Sequence, residues 1–242
     1  MPTLRSRVAA PTVLALLLLA AGAAAAQEAP AQLAPGFSTR AAASRLVVIP
    51  ADMELYSISA GGVVEPRHDW TVAAQKNFSA ALLRQQGQLG TGATELAAAD
   101  ADDFAEVVAL HRAVAQAIAV HHHGNLKLPT KGDRLDWSLG DAVRPLRERT
   151  GADYALFTWL RDSYTSGERK AAMIGMALLG VVSFGGEQVG YASLVDLQTG
   201  RVVWHNPVRR MWGDLRDAEA ANETVEELLK GFPPLQAAGG AR

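Results

Sequence analysis

The chain has 242 residues, no cysteine, 23 basic and 25 acidic residues and a mean hydropathy of +0.04. Without thiols there are no disulfide staples, no thiolate nucleophile and no lipid-attachment cysteine. The near-neutral charge lacks the basic excess that nucleic-acid binding requires, and none is expected.

Arg5 and Arg7, an apolar stretch centred on residues 13–20, and Ala24, Ala25 and Ala26 have the three parts of a secretory signal peptide. Cleavage is expected between Ala26 and Gln27. The alternative is retention as an anchor, because residues 8–26 approach spanning length. Processing leaves 216 residues with 21 basic and 25 acidic side chains, a net charge of −4, which suits one domain with a sizeable core. Residues 27–44, rich in Ala, Pro, Gln and Ser, show no hydrophobic period and predict a flexible leader. Residues 45–232 are expected to form one domain, and 233–242 a disordered tail.

Arg45 to Pro50 holds a continuous apolar run closed by proline, as in a strand buried on both faces. Two further strands flank Gly61 and Gly62, predicting a hairpin. Asp69 is placed as the cap of a helix from Trp70 to about Gln86, with Ala74, Phe78, Ala81 and Leu82 on one face. The longest helical pattern covers Asp100 to His123, where Phe104, Val107, Val108, His111, Val114, Ala115 and Ile118 form one stripe. Asp100, Asp102 and Asp103 at its start suit the helix dipole better than an incomplete calcium loop. A loop over residues 125–136 precedes a helix reaching Arg149, which Pro145 is expected to kink. Residues 152–164 predict a long strand, with Arg161 and Asp162 marking emergence into solvent. The stretch from Val189 to Asn206 is the clearest hairpin, turning at Asp196, Thr199 and Gly200. An amphipathic helix from about Arg216 to Lys230 follows, stopped by Gly231. The order is mixed, giving an α/β (or α+β) class: a mixed β-sheet covered by amphipathic helices, with a C-terminal hairpin plus helix.

Six histidines raise the question of a metal site. On a straight helix His111 and His122 are about 16 Å apart, and successive residues 121–123 splay by about 100°. They cannot share an ion at about 2 Å unless the helix unwinds. The expectation is therefore no metal and no cofactor, with His111 a core residue that has a partner and His121 to His123 beside helix-terminal carbonyls. No phosphate loop, nucleophile elbow or HExxH helix is present.

Residues 171–184 are the most apolar run after the signal segment. As a helix they would reach about 21 Å against about 30 Å of hydrocarbon, so no mature transmembrane helix is expected. Packing on the sheet, contact with a subunit or a peripheral membrane contact remain as readings. Met173, Ile174, Met176, Leu178, Leu179, Val182 and Phe184 are the candidate interface residues, since methionines suit adaptable contacts.

The order of a buried first strand, a covering helix, GADYALFTWLRDSYTS, an apolar insertion, YASLVDLQTGRVVWHN and a closing helix resembles envelope proteins of Gram-negative bacteria. The periplasmic domain of the curli secretion channel and the lipoprotein activators of penicillin-binding proteins are the families named by this resemblance. It implies a periplasmic, non-enzymatic module that binds an envelope protein or a second copy of itself. The missing cysteine departs from the lipid-anchored pattern of those families, and the insertion does not reproduce the channel's membrane-crossing hairpins. The rival reading is a metal-dependent or other hydrolase assembled from His68, Asp69, His111, Asp162 and His205.

Overall fold

The computed structural model describes residues 32–166, residue 173 and residues 186–236. Its centre is β5 (Tyr154–Thr165), the longest strand among the described residues. One edge of β5 pairs in parallel with β1 (Leu46–Val48) and, further along, with β2 (Asp52–Ile58). Pro50 lies between those two strands and has no amide hydrogen for the ladder, so a single edge is shared by two short partners. β3 (Val64–Pro66) closes the expected hairpin on β2, and β4 (Ala93–Glu95) adds a parallel strand outside β1.

The other edge of β5 takes β6 (Gln188–Asp196), which pairs in turn with β7 (Val202–Arg210), both antiparallel. Seven strands thus form one mixed sheet. At the β6–β7 turn Gly200 has φ 70°, and a Cβ there would lie 2.2 Å from the Gly140 carbonyl oxygen. Only glycine lets the turn approach that backbone closely enough for Leu139 N to donate to Gly200 O at 2.8 Å.

Helices cover both faces, as an α/β mixed sheet requires. On one side α1 (His68–Arg84) buries Ala74, Phe78, Ala81 and Leu82, the stripe expected from the sequence. It packs with the last helix, Ala218–Leu228, over Leu55, Leu160, Leu194 and Trp204. On the other side α2 (Ala105–Ile118) and α3 (Arg144–Thr150) bring Val107, Ile118 and Leu146 onto Val47, Ala155, Phe157 and Val195. The Ala218–Leu228 helix is α4, and Asp217 caps it by accepting from Glu219 N and Ala220 N. Each fully buried leucine in these layers contributes about 2 kcal/mol through loss of water contact.

Several expectations are corrected. The stretch read as a flexible leader is docked from Gln32 onward: Leu33 bridges to Trp204, Ala34 is buried, and Arg40 is fully buried. The Arg40 guanidinium donates to the carbonyls of Pro233 at 2.9 Å, Leu89 at 2.7 Å and Gln88 at 2.9 Å, and lies over the Phe232 ring. An arginine can be buried where carbonyl oxygens meet its donors in this way. The tail is likewise bound through Leu235, which bridges to Arg40.

Asp69 is not the α1 cap; Arg67 holds that position and pairs with Asp69 at 3.0 Å. Pro145 stands in the first turn of α3, where its missing donor is harmless, and starts the helix instead of kinking it. The long helix from Asp100 is divided into the turn Ala98–Ala101, a 3₁₀ segment Asp102–Phe104, α2, and a π-helical turn Ala119–His123.

Candidate functional site

Strand alternation decides which side chains can meet. On β5, Phe157 and Trp159 face α2, whereas Leu156, Leu160 and Asp162 face α1. Asp162, expected at the solvent boundary, is 2% exposed. The Tyr164 hydroxyl donates to its Oδ2, and Gln188 Nε2 donates to the same oxygen at 2.8 Å. Thr224 Oγ1 of α4 donates to Gln188 Oε1 at 3.1 Å, while Leu215 N donates to the Tyr164 oxygen at 2.8 Å. Burial pushes the Asp162 carboxyl up to about 6, against the pull of the Tyr164 and Gln188 hydrogen bonds, and nearby Asp214 adds to the rise. Tyr164 is raised as well, by burial first and then by Asp162.

Asp162, Tyr164 and Gln188 of this network line a cleft of about 250 Å³ at one end of the sheet. Its rim is amphipathic: the Arg216 guanidinium pairs with Asp214 at 2.6 Å and covers the rings of Trp70 and Tyr164 at 4.2 and 4.3 Å. Beyond the end of β7, Met211 is 49% exposed and Trp212 69% exposed. A solvent-facing tryptophan beside an exposed methionine is a composition associated with contact surfaces. Ser163, Thr165, Gly186 and Glu187 line the same cleft, so the points where the chain leaves and re-enters the described sheet adjoin Trp212.

Of the candidate interface residues, Met173 is helical and half-buried. Ile174, Met176, Leu178, Leu179, Val182 and Phe184 lie outside the described residues. Met211 and Trp212 were missed in the sequence because they follow a strand as two isolated apolar residues with no period of their own.

The residues of the rival hydrolase reading do not converge. His68 and Asp69 are exposed at the start of α1, Asp162 faces α1, and His111 and His205 lie under α2 on the opposite face. Among the described residues no three His, Asp or Glu side chains are placed to hold one metal ion. His111 is a core residue as expected, but its partner is the Phe157 ring, stacked at 4.2 Å, and its Nε2 has no hydrogen-bond partner among the described residues. His121 Nδ1 lies 2.6 Å from the Leu126 carbonyl oxygen. The π-helical turn unwinds the helix at Ala119 and carries His123 to His205, ring centroids 5.2 Å apart. Among the described residues no helix is long and apolar enough to cross a membrane.

No protein-family model and no curated protein matches the chain. Solved structures do. PelC from Paraburkholderia phytofirmans, a dodecamer, aligns at 13% identity and TM-score 0.40 over 82% of this chain and 93% of that one. Lipoprotein GNA1162 from Neisseria meningitidis aligns at 13% and 0.32, over 77% and 94%. The LpoB C-terminal domain from Salmonella enterica aligns at 11% and 0.28, over 73% and 87%. The chain is similar to these proteins.

Proposed function

We propose that this is an exported, periplasmic, non-enzymatic module that works by binding another envelope protein or a second copy of itself. The contact surface is the sheet end around Met211 and Trp212 together with the apolar run 171–184. Residues 1–26 are its signal peptide. One observation carries the reading: a 69% exposed tryptophan stands beside the two points that bracket the most apolar run after the signal segment. Tryptophan and methionine are enriched at interaction surfaces. The scattering of His68, Asp69, His111, Asp162 and His205 over two faces and an exposed helix start supports binding over hydrolysis.

The test combines cross-linking in intact envelope with light scattering of the purified chain. Leu178→Asp with Leu179→Asp, and separately Trp212→Ala, should abolish partner capture or self-association and leave the circular dichroism spectrum and melting temperature unchanged. A double variant that melts far lower and aggregates would show residues 178 and 179 to be core, and the contact assignment would fail.

A further inference from the structure

The face under α2 contains a line of rings that crosses three strands and ends on the π-helical turn. Trp159 on β5 stacks on Tyr191 of β6 at 5.4 Å, Tyr191 lies 5.3 Å from His205 of β7, and His205 stacks on His123 at 5.2 Å. His122 meets His123 edge-on at 4.8 Å, and His111 reaches Tyr191 at 5.8 Å. His205 is fully buried; its Nδ1 lies 2.9 Å from Ser193 Oγ, while its Nε2 has no hydrogen-bond partner among the described residues. His123 Nε2, His111 Nε2 and the Tyr191 hydroxyl share that condition.

The charged surroundings are cationic. Arg112 of α2, Lys127 of the loop after the π-helical turn and Arg161 of β5 act on the cluster, while the carboxylate acting on Tyr191, Asp52, is already paired with both Arg112 and Arg161. Lys127 Nζ donates to the His122 carbonyl and pairs with Asp133 at 3.3 Å. A proton added to His123 or His205 would therefore meet rings, other imidazoles and cations, with no unpaired anion among the described residues to receive it.

We propose that this ring stack is an acid-operated catch: neutral imidazoles hold residues 119–128 on the sheet, and their protonation releases that segment while the opposite face stays folded. Burial holds His123 down to about 4, with His122 and Lys127 adding repulsion. His205 is held well below its ordinary range by burial and by its three imidazole neighbours, and His111 at about 3 by burial. The sign follows from linkage. In the released state His123 and His205 regain the ordinary value of 6.5 and bind protons that the closed state refuses. Release is therefore favoured as pH falls below about 6.5, by about 100-fold per pH unit for two imidazoles, until the closed state itself protonates near 4.

Hydrogen exchange of the full chain between pH 7 and 4.5, corrected for intrinsic rates, tests this. Amides of residues 119–128 should lose protection by about 100-fold per pH unit below 6.5, while those of α1 and α4 keep theirs. His123→Gln and His205→Gln should each lower the slope to about tenfold per unit, and His121→Gln should leave it unchanged. His123 is only half-buried, so its variant remains informative if His205→Gln fails to fold. The proposal is overturned if the wild-type slope is below tenfold, if the glutamine variants leave it unaltered, or if α1 and α4 lose protection in parallel.

Discussion

The two faces of the sheet solve the problem of buried polar groups in different ways. Under α1 and α4, Asp162, Tyr164, Gln188 and Thr224 satisfy one another and Arg40 is matched by three carbonyls, while Trp204 Nε1 has no partner among the described residues. Under α2, imidazole and phenol groups are packed as rings, and several of their polar atoms have no partner among the described residues. The first arrangement is rigid because a satisfied network rewards one geometry; the second is conditional on the imidazoles being neutral. The two also titrate in opposite senses. A carboxyl raised to about 6 makes the α1 face more stable as pH falls from about 6 toward 4, while the depressed histidines make the α2 face less stable over the same range.

Breaking the first face should have the largest effect. Trp204 is fully buried and meets Phe232 edge-on at 5.2 Å, so Trp204→Ala should cost about 4 kcal/mol, measured by urea denaturation. Arg40→Met removes the donors of three carbonyls and should cost about 3 kcal/mol, with increased proteolysis of residues 32–40. Gly190 lies on β6, where a Cβ would sit 2.6 Å from the Trp159 carbonyl oxygen and 2.5 Å from a Leu160 methyl. Gly190→Ala should therefore cost about 2 kcal/mol through displacement of β6 from β5. Asp162→Asn sharpens the comparison without breaking the fold. It should raise stability at pH 7 by about 1 kcal/mol, and acid destabilisation between pH 6 and 4 should become steeper because the opposing carboxyl is gone. Trp212→Ala should change stability by less than about 0.5 kcal/mol, its effect being confined to association.

The sequence revealed the elements whose apolar pattern is strong. The α1 stripe of Ala74, Phe78, Ala81 and Leu82, the β2–β3 hairpin and the Asp196–Gly200 turn all occur where periodicity and turn chemistry placed them. It failed where tertiary contact overrides composition. β4 is three residues long, largely exposed and without alternation, so parallel pairing with β1 has no local signal. Arg40 sits in a stretch that reads as linker, and its three acceptor carbonyls come from distant parts of the chain. Asp162 follows an apolar run and resembles the end of a buried strand until Tyr164 and Gln188 are seen beside it. The ring stack depends on a π-helical turn and on the β6–β7 register, and neither feature is encoded in the spacing of the histidines. Its one visible trace was the requirement that the helix unwind before His121 to His123 could converge.

The bridge between Arg40 and Leu235 is parallel, so the chain preceding Arg40 and the chain following Leu235 depart in opposite directions along one line. Tension applied between them would load the guanidinium's three carbonyl contacts together, in shear, instead of unzipping them one after another. A pull from the N-terminal side would first load the bonds of Gln32 and Ala34 to β7 and only then reach this junction, so the β7 edge and the Arg40 contacts would act in series.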